Sequence, residues 1–363
     1  MDKSKHSPIL GRISVAKIFF LVSGENPTLP FSEIESILRA EEYGYCVLKK
    51  FTQLLRIEAD VSCVNTVKFR SALARAGCLE IFNCKAAINE ILANVEKINV
   101  TEFLDEGDSF VVRVTRVRGA SPSISCFALE RKIGGIIFNR AKCGKVNLRN
   151  PDKTFFGVLT DNMFFFGLKL AEIEHKDLWR RRPRKRVFFH PAALTPKIAR
   201  CMVNLAQSKA GDLVLDPFCG AGSLLIEAGL MGCRVIGFDV KRHMAEGSLK
   251  NLRFFGVEPE WLAVADARRP PLATGSIDRI VTDPPYGTAA STLGFPVREL
   301  IESFFSAATN ILRGEGMICI AAPKTIKIHE IGPKYGFKHL ESHFIYVHRR
   351  LTREIAVFKC GGN

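Results

Sequence analysis

The chain has 363 residues, 47% apolar and 25% charged, which is enough for two or three packed cores and excludes a disordered or collagen-like class. Lys and Arg outnumber Asp and Glu 52 to 37, a net charge of +15, so an extended polyanion is the natural partner. The eleven cysteines form no CxxC pair and are odd in number, so neither a disulfide framework nor a zinc knuckle is expected; they read as reduced thiols of a cytosolic protein. The longest N-terminal apolar run, Ile18 to Val22, is far too short to span a bilayer, and no export signal or membrane partner is expected.

In chain order, residues 17–23 read as a strand and 30–42 as a helix with Pro30 near its start. Two short strands follow at 45–50 and 54–59, then a helix from Val64 to Ala76 and a strand at 79–84. The order β-α-β-β-α-β predicts a ferredoxin-like unit over residues 1–85. A second α/β unit is expected over 86–170: a helix at 86–98, an alternating strand at 109–117, a helix at 123–139, and a hairpin of 154–160 with 163–170 around Thr160–Asn162. Between 110 and 153 lie ten cations (Arg113, Arg116, Arg118, Arg131, Lys132, Arg140, Lys142, Lys145, Arg149, Lys153) against Glu130 and Asp152.

Residues 171–187 read as a basic linker. Arg180 to Arg186 holds six cations in seven residues, a solvated run whose place beside a basic unit makes Arg181, Arg182, Arg184 and Lys185 candidate phosphate contacts. From 188 to 363 strands alternate with helices, near 212–216, 234–239, 261–265, 278–282, 316–321 and 342–347. That pattern predicts an α/β class, doubly wound, mostly parallel sheet of Rossmann type.

The chemistry concentrates at strand ends. Val214-Leu215-Asp216 runs into Pro217-Phe218-Cys219-Gly220-Ala221-Gly222-Ser223 and then a helix, so Gly220 and Gly222 let a ligand approach the backbone closely. The acid precedes the glycines, unlike a dinucleotide fingerprint, and suits the ammonium group of S-adenosylmethionine (SAM). Asp239 ends the next strand, where an acid accepts from ribose hydroxyls; Asp266, before Ala267, ends the third and could meet an adenine amine. A fourth strand, Ile280-Val281-Thr282, enters Asp283-Pro284-Pro285-Tyr286. Two prolines stiffen that turn. The Asp283 carboxylate and the Pro284 carbonyl could aim an exocyclic amine at a methyl sulfonium, and Asp283 would stabilise the cation that develops on nitrogen. Tyr286 offers a ring to stack an extruded base. The eight histidines show no ligand-like spacing, and no metal site is expected.

Asp-Pro-Pro-Tyr after a strand resembles the amino-methyltransferases of DNA and RNA. More narrowly, Phe188–Arg200, Asp216–Ser223, Thr282–Gly287 and His348-Arg349-Arg350-Leu351-Thr352-Arg353 resemble the archaeal and eukaryotic tRNA guanine-N2 methyltransferases that act at position 10. That family carries a ferredoxin-like domain and an RNA-gripping THUMP domain ahead of the catalytic one, which residues 1–85 and 86–170 fit in order and size; Arg350 departs from the smaller residue expected there. The resemblance implies that Pro191 and Leu194 close over SAM. It implies that Asp216, Phe218, Gly220, Gly222, Ser223, Asp239, Asp266 and Ala267 bind the cofactor, and that Asp283, Pro284 and Tyr286 hold the guanine. It implies tRNA as substrate, one or two methyls transferred according to the room around the amine, and, from some eukaryotic relatives, a small zinc-binding activator protein as a candidate partner. Three alternatives stay open: a related THUMP enzyme acting on another tRNA guanosine, a DNA or RNA adenine-N6 methyltransferase, and a catalytically silent RNA-binding protein. The front half carries no groove-reading helix-turn-helix, which weighs against DNA.

Overall fold

The computed structural model describes residues 14–141, 145–287, 294 and 296–361. The chain falls into two units. One comprises the residues up to Phe31, Glu42–Phe69 and Ala74–Glu174; the other comprises Ser32–Glu41, Arg70–Leu73 and everything from His175 onward.

The first half opens with β1 (Val15–Val22), α1 (Leu29–Ala40), β2 (Tyr45–Phe51), β3 (Leu54–Asp60), α2 (Cys63–Arg70) and β4 (Ala74–Lys85), the β-α-β-β-α-β order expected. It continues with α3 (Ile88–Glu96), β5 (Ser109–Arg116), α4 (Cys126–Arg140), β6 (Lys145–Val146), β7 (Lys153–Thr160) and β8 (Met163–Glu172). The strands form one sheet in the order β2-β3-β1-β4-β8-β7-β5-β6. β4 pairs with β1 on one side and β8 on the other, so the border expected at residue 85 falls at the end of a strand that both halves share.

The helix expected over Val64–Ala76 ends at Arg70, and the next strand starts earlier, at Ala74. The reason lies in the amides of Ala72 and Leu73, which donate to the buried Glu33 carboxylate (2.8 and 2.9 Å) instead of continuing a helical ladder. The β7–β8 hairpin turns on Asp161 and Asn162, both at positive φ (46° and 58°), as a two-residue turn matched to sheet twist requires. Its core is phenylalanine-rich; Phe155 and Phe166 stack with ring centroids 5.9 Å apart.

The second half begins with α5 (Lys176–Arg180), so the segment expected as linker contains ordered structure. There follow α6 (Pro196–Leu205), β9 (Leu213–Asp216), α7 (Ser223–Gly229), β10 (Arg234–Asp239), α8 (Arg242–Phe254), β11 (Trp261–Val264), β12 (Ile277–Thr282) and α9 (Val297–Ile311). The chain closes with β13 (Leu312–Pro323), α10 (Ile328–Ile331), β14 (Phe337–His348) and β15 (Leu351–Cys360). The sheet order is β11-β10-β9-β12-β13-β15-β14. The first five strands run parallel, and β15 is antiparallel to both neighbours. β15 was not expected from the sequence. Its apolar run, Ile355–Phe358, is four residues long and abuts the basic string 348–353, a weak signal for a central strand.

Strand order reverses between β9 and β12. In an open parallel sheet the loops leaving the two strands diverge at such a point and leave a crevice at the carboxyl edge. The core beneath is apolar: Leu215, Ile280, Ile318, Ile320, Phe304, Phe305 and Phe358 are buried. No helix among the described residues is long and apolar enough to cross a membrane.

Candidate active site

The four expected acids stand at the carboxyl ends of four adjacent strands. Across the sheet the sequence is Asp266 after β11, Asp239 ending β10, Asp216 ending β9 and Asp283 just past β12. Asp216 is buried and its Oδ1 accepts from Thr282 Oγ1 (2.7 Å) and Phe218 N (3.2 Å). Burial pushes its carboxyl up to about 7, with Asp283 and Asp239 adding repulsion, against the two hydrogen bonds that favour the anion. Such an acid favours a cation beside it. Asp239 takes the amides of Gly220 (3.1 Å) and Lys241 (2.9 Å), and burial raises its carboxyl too.

Between these two acids the glycine turn has little room for alternatives. Gly220 and Gly222 sit at φ +51° and +79°, where side chains are strained, and a Cβ on Gly222 would lie 2.5 Å from Ser248 Oγ. Pro191 is exposed and Leu194 buried. Leu194 is coupled to the turn: its carbonyl accepts from Ser223 Oγ (3.1 Å), which in turn accepts from Arg186 Nη1 (2.6 Å).

Three of the residues expected to bind cofactor have partners within the fold. Ser223, expected to contact cofactor, has its hydroxyl engaged in that internal relay. Phe218 is half-buried, its ring edge-on to Phe304 at 6.0 Å, so its ring belongs to the core. Asp266 pairs bidentately with Arg268 (2.6 and 3.0 Å), whose hydrogen bonds hold it below the usual carboxylate range. Ala267 beside it is buried.

At the prolyl turn, Tyr286 donates its hydroxyl proton to Asp283 Oδ1, and Arg353 Nε donates to the same tyrosine oxygen at 2.9 Å. Arg353 Nη2 lies 3.7 Å from Asp283 Oδ2, and the guanidinium stands 5.6 Å from the tyrosine ring centre. Burial raises the Asp283 carboxyl, and the Arg353 charge pulls it back. Pro284 is buried. Thr282 and Arg353 were missed as individual site residues. Thr282 is an ordinary strand position whose role depends on which strand lies alongside. Arg353 sits in the late basic string already noted, but its partner is 67 residues away in sequence.

The candidate RNA contacts separate by exposure. Arg131, Lys132, Arg140 and Lys145 are exposed, and so are Arg182, Arg184 and Lys185. Arg113 donates to Leu148 O (2.9 Å) and Arg118, exposed, to Gly24 O (3.2 Å). Arg116 is half-buried against Ile124 O, and so leaves the surface set. Arg181 also leaves it: its guanidinium forks onto Glu227 (2.7 and 3.0 Å), a fully buried acid that Arg200 also grips at 2.8 Å. Lys142 lies outside the described residues. Among the described residues no group of three or more His, Cys, Asp or Glu is placed to share a metal ion.

A parallel sheet with a glycine turn and a prolyl turn flanking its reversal point is the architecture of a Rossmann-type methyltransferase. Residues 183–353 match the family described as RMKL-like, methyltransferase domain, and residues 85–168 match the THUMP domain family. The chain is 37% identical over 343 residues to the tRNA (guanine(10)-N2)-dimethyltransferase of Methanothermobacter thermautotrophicus, covering 94% of this chain and 99% of that one. It is 32% identical over 367 residues to the enzyme of the same name from Methanocaldococcus jannaschii, again covering 94% and 99%. The chain belongs to the tRNA (guanine(10)-N2)-dimethyltransferase family. The crystal structure of TrmN from Thermus thermophilus shares the fold, with a TM-score of 0.55 at 20% identity over 95% of this chain and 99% of that one.

Proposed function

We propose that this protein methylates the exocyclic N2 amine of guanosine 10 in tRNA, using SAM, and that it does so in the cytoplasm. The observation that carries the reading is the row of four carboxylates on adjacent strand ends, with the Asp283–Tyr286 turn beside the strand-order reversal. The reading keeps the four-segment organisation: a ferredoxin-like segment over 1–85, a THUMP segment over 86–170, a short basic segment over 171–187, and the catalytic domain from 188.

The residues present suit SAM. Asp216, raised to about 7 by burial, gains a counter-ion from the methionine ammonium. Asp239 takes the ribose hydroxyls while holding the glycine turn in place. With Asp266 engaged by Arg268, the adenine end falls to the backbone around Ala267 and to whatever lone pairs Asp266 retains. When bound, SAM supplies an electrophilic methyl group.

The chain's own part is to orient the amine. Asp283 Oδ2 and the Pro284 carbonyl accept its two N–H bonds, which turns the nitrogen lone pair toward the methyl. Tyr286 occupies Oδ1, so the carboxylate cannot rotate away. Positive charge then develops on nitrogen beside Asp283, and its stabilisation is greatest at the transition state. Arg353 pulls the Asp283 carboxyl back toward its ionised form, against burial, which favours the neutral acid. A THUMP segment and an exposed basic surface support RNA over DNA as substrate.

The test is nucleoside mass spectrometry of tRNA incubated with SAM and the purified protein. N2-methylated or N2,N2-dimethylated guanosine at position 10 is expected; a mark on adenosine, or on another guanosine, overturns the assignment. Asp283→Ala should abolish turnover while SAM affinity, read by calorimetry, changes less than about threefold.

A further inference from the structure

The basic run at 180–186 does two jobs that its composition does not separate. Arg181 and Arg186 point inward. Arg181 forks onto buried Glu227, and Arg186, 7% exposed, donates to Ser223 Oγ (2.6 Å) and to the Arg181 carbonyl (3.0 Å). Burial lowers the Arg186 guanidinium to about 10, which marks it as a structural cation rather than a solvent-facing one. These two residues clamp the segment at both ends. Between them Arg182, Arg184 and Lys185 face solvent.

The clamp also fixes what precedes it. Trp179, on the short helix α5, is 54% exposed, an unusual place for the costliest apolar side chain to leave in water. The Arg182 guanidinium carbon lies 4.2 Å from its ring centre and Lys185 Nζ lies 5.4 Å away. The backbone holds the three together: Arg182 N donates to Trp179 O (3.4 Å) and Lys185 N to Arg182 O (2.8 Å). An exposed indole with cations on and around its face, on a segment tied down by buried arginines, is the chemistry of a stacking platform for an unpaired nucleobase. The ring and the guanidinium plane stack on the base, while Lys185 and Arg184 meet the flanking phosphates.

We propose that Trp179, with Arg182 and Lys185, forms a binding site for one unstacked nucleotide of the tRNA substrate. The proposal rests on tRNA being the substrate. Charge alone would select any polyanion, whereas stacking selects a base, and that difference decides the experiment.

The chain has two tryptophans, so Trp261→Phe leaves Trp179 as the only indole reporter in the full-length protein. Saturating tRNA should quench its emission and shield it from acrylamide. Heparin, a polyanion without bases, should bind but leave most of the emission. In the otherwise native chain, Trp179→Ala should weaken tRNA binding by about 5- to 150-fold, the range that stacking of one base spans, with the salt slope unchanged. Trp179→Phe should recover part of that loss and Trp179→Leu none. Arg182→Ala with Lys185→Ala should instead flatten the salt slope. Equal quenching by heparin and tRNA overturns the proposal, as does wild-type tRNA affinity in Trp179→Ala. If wild-type protein neither binds nor methylates tRNA, the functional reading fails first; if it methylates guanosine 10 with Trp179 unperturbed, only this site fails.

Discussion

Replacing Arg353 by Met removes the one charge that opposes burial at Asp283, and the effect can be sized from the geometry. The two side chains are 14% and 15% exposed and approach to 3.7 Å. Unit charges at that distance interact by about 4.5 kcal/mol at an effective dielectric of ~20, equivalent to about three pH units as an upper limit. Water entering the vacated space recovers part of this, so a shift of roughly one to three units is expected. The sign follows from the acid. Burial already raises Asp283, and losing a neighbouring cation raises it further, so the carboxyl stays protonated to higher pH. A protonated acid donates where it should accept and gives no stabilisation to a cationic nitrogen. The methylation rate should therefore fall on the acid side, by roughly 10- to 1000-fold where pH lies below both pKa values, and recover as pH rises.

The assay is steady-state methyl transfer from labelled SAM to tRNA between about pH 5.5 and pH 9.5, with kcat and KM resolved at each point. The acid limb of kcat should move upward while KM for SAM changes far less, because burial outweighs the Asp283 charge at Asp216. Arg353→Lys should restore part of the charge effect but not the hydrogen bond to Tyr286, whose geometry needs the guanidinium Nε. A folded Arg353→Met variant with an unmoved acid limb refutes the argument. So does a loss confined to KM for SAM.

Two further outcomes follow from buried acids. Asp216 is about half protonated at pH 7 in the free protein, and a bound ammonium group lowers its pKa, so SAM binding at that pH should release about half a proton. Calorimetry in buffers of different ionisation enthalpy reads that number, and Asp216→Asn should bring it to zero. In the free protein the same raised pKa means stability is lost as pH climbs from about 4 to about 7, so Asp216→Asn should raise the melting temperature more at neutral than at acid pH. Glu227→Ala should cost about 3–5 kcal/mol, since it strands Arg181 and Arg200 with no counter-ion beneath the surface. Chemical denaturation measures this, and a loss under about 1 kcal/mol would mean the arginines find water.

What the sequence could show depended on how local each signal was. The strands before Asp216, Asp239 and Asp283 announce themselves because parallel strands are buried on both faces and read as short apolar runs. The prolyl turn is legible because its rigidity is covalent. Domain borders were less so: β4 joins two sheets' worth of strands through backbone hydrogen bonds, which carry no side-chain signature. The end of α2 depended on Glu33, some 40 residues earlier, capturing two amides. β15 was hidden because a central strand only four apolar residues long looks like any loop with a greasy patch.

The site divided along the same line. Position at a strand end could be inferred, but occupancy of each carboxylate could not, since it depends on which cation or hydroxyl the fold delivers. Asp266 and Asp283 illustrate the difference. Each has an arginine, but Arg268 is two residues from its acid and closes on it at 2.6 Å, whereas Arg353 arrives from β15 and stops at 3.7 Å. The close pair neutralises an acid. The distant one opposes burial without closing on the acid, leaving Oδ2 able to accept a hydrogen bond from something smaller than a guanidinium. That spacing is set by β13 lying between β12 and β15, so the strand the sequence concealed is also the one that positions the arginine opposing burial at Asp283.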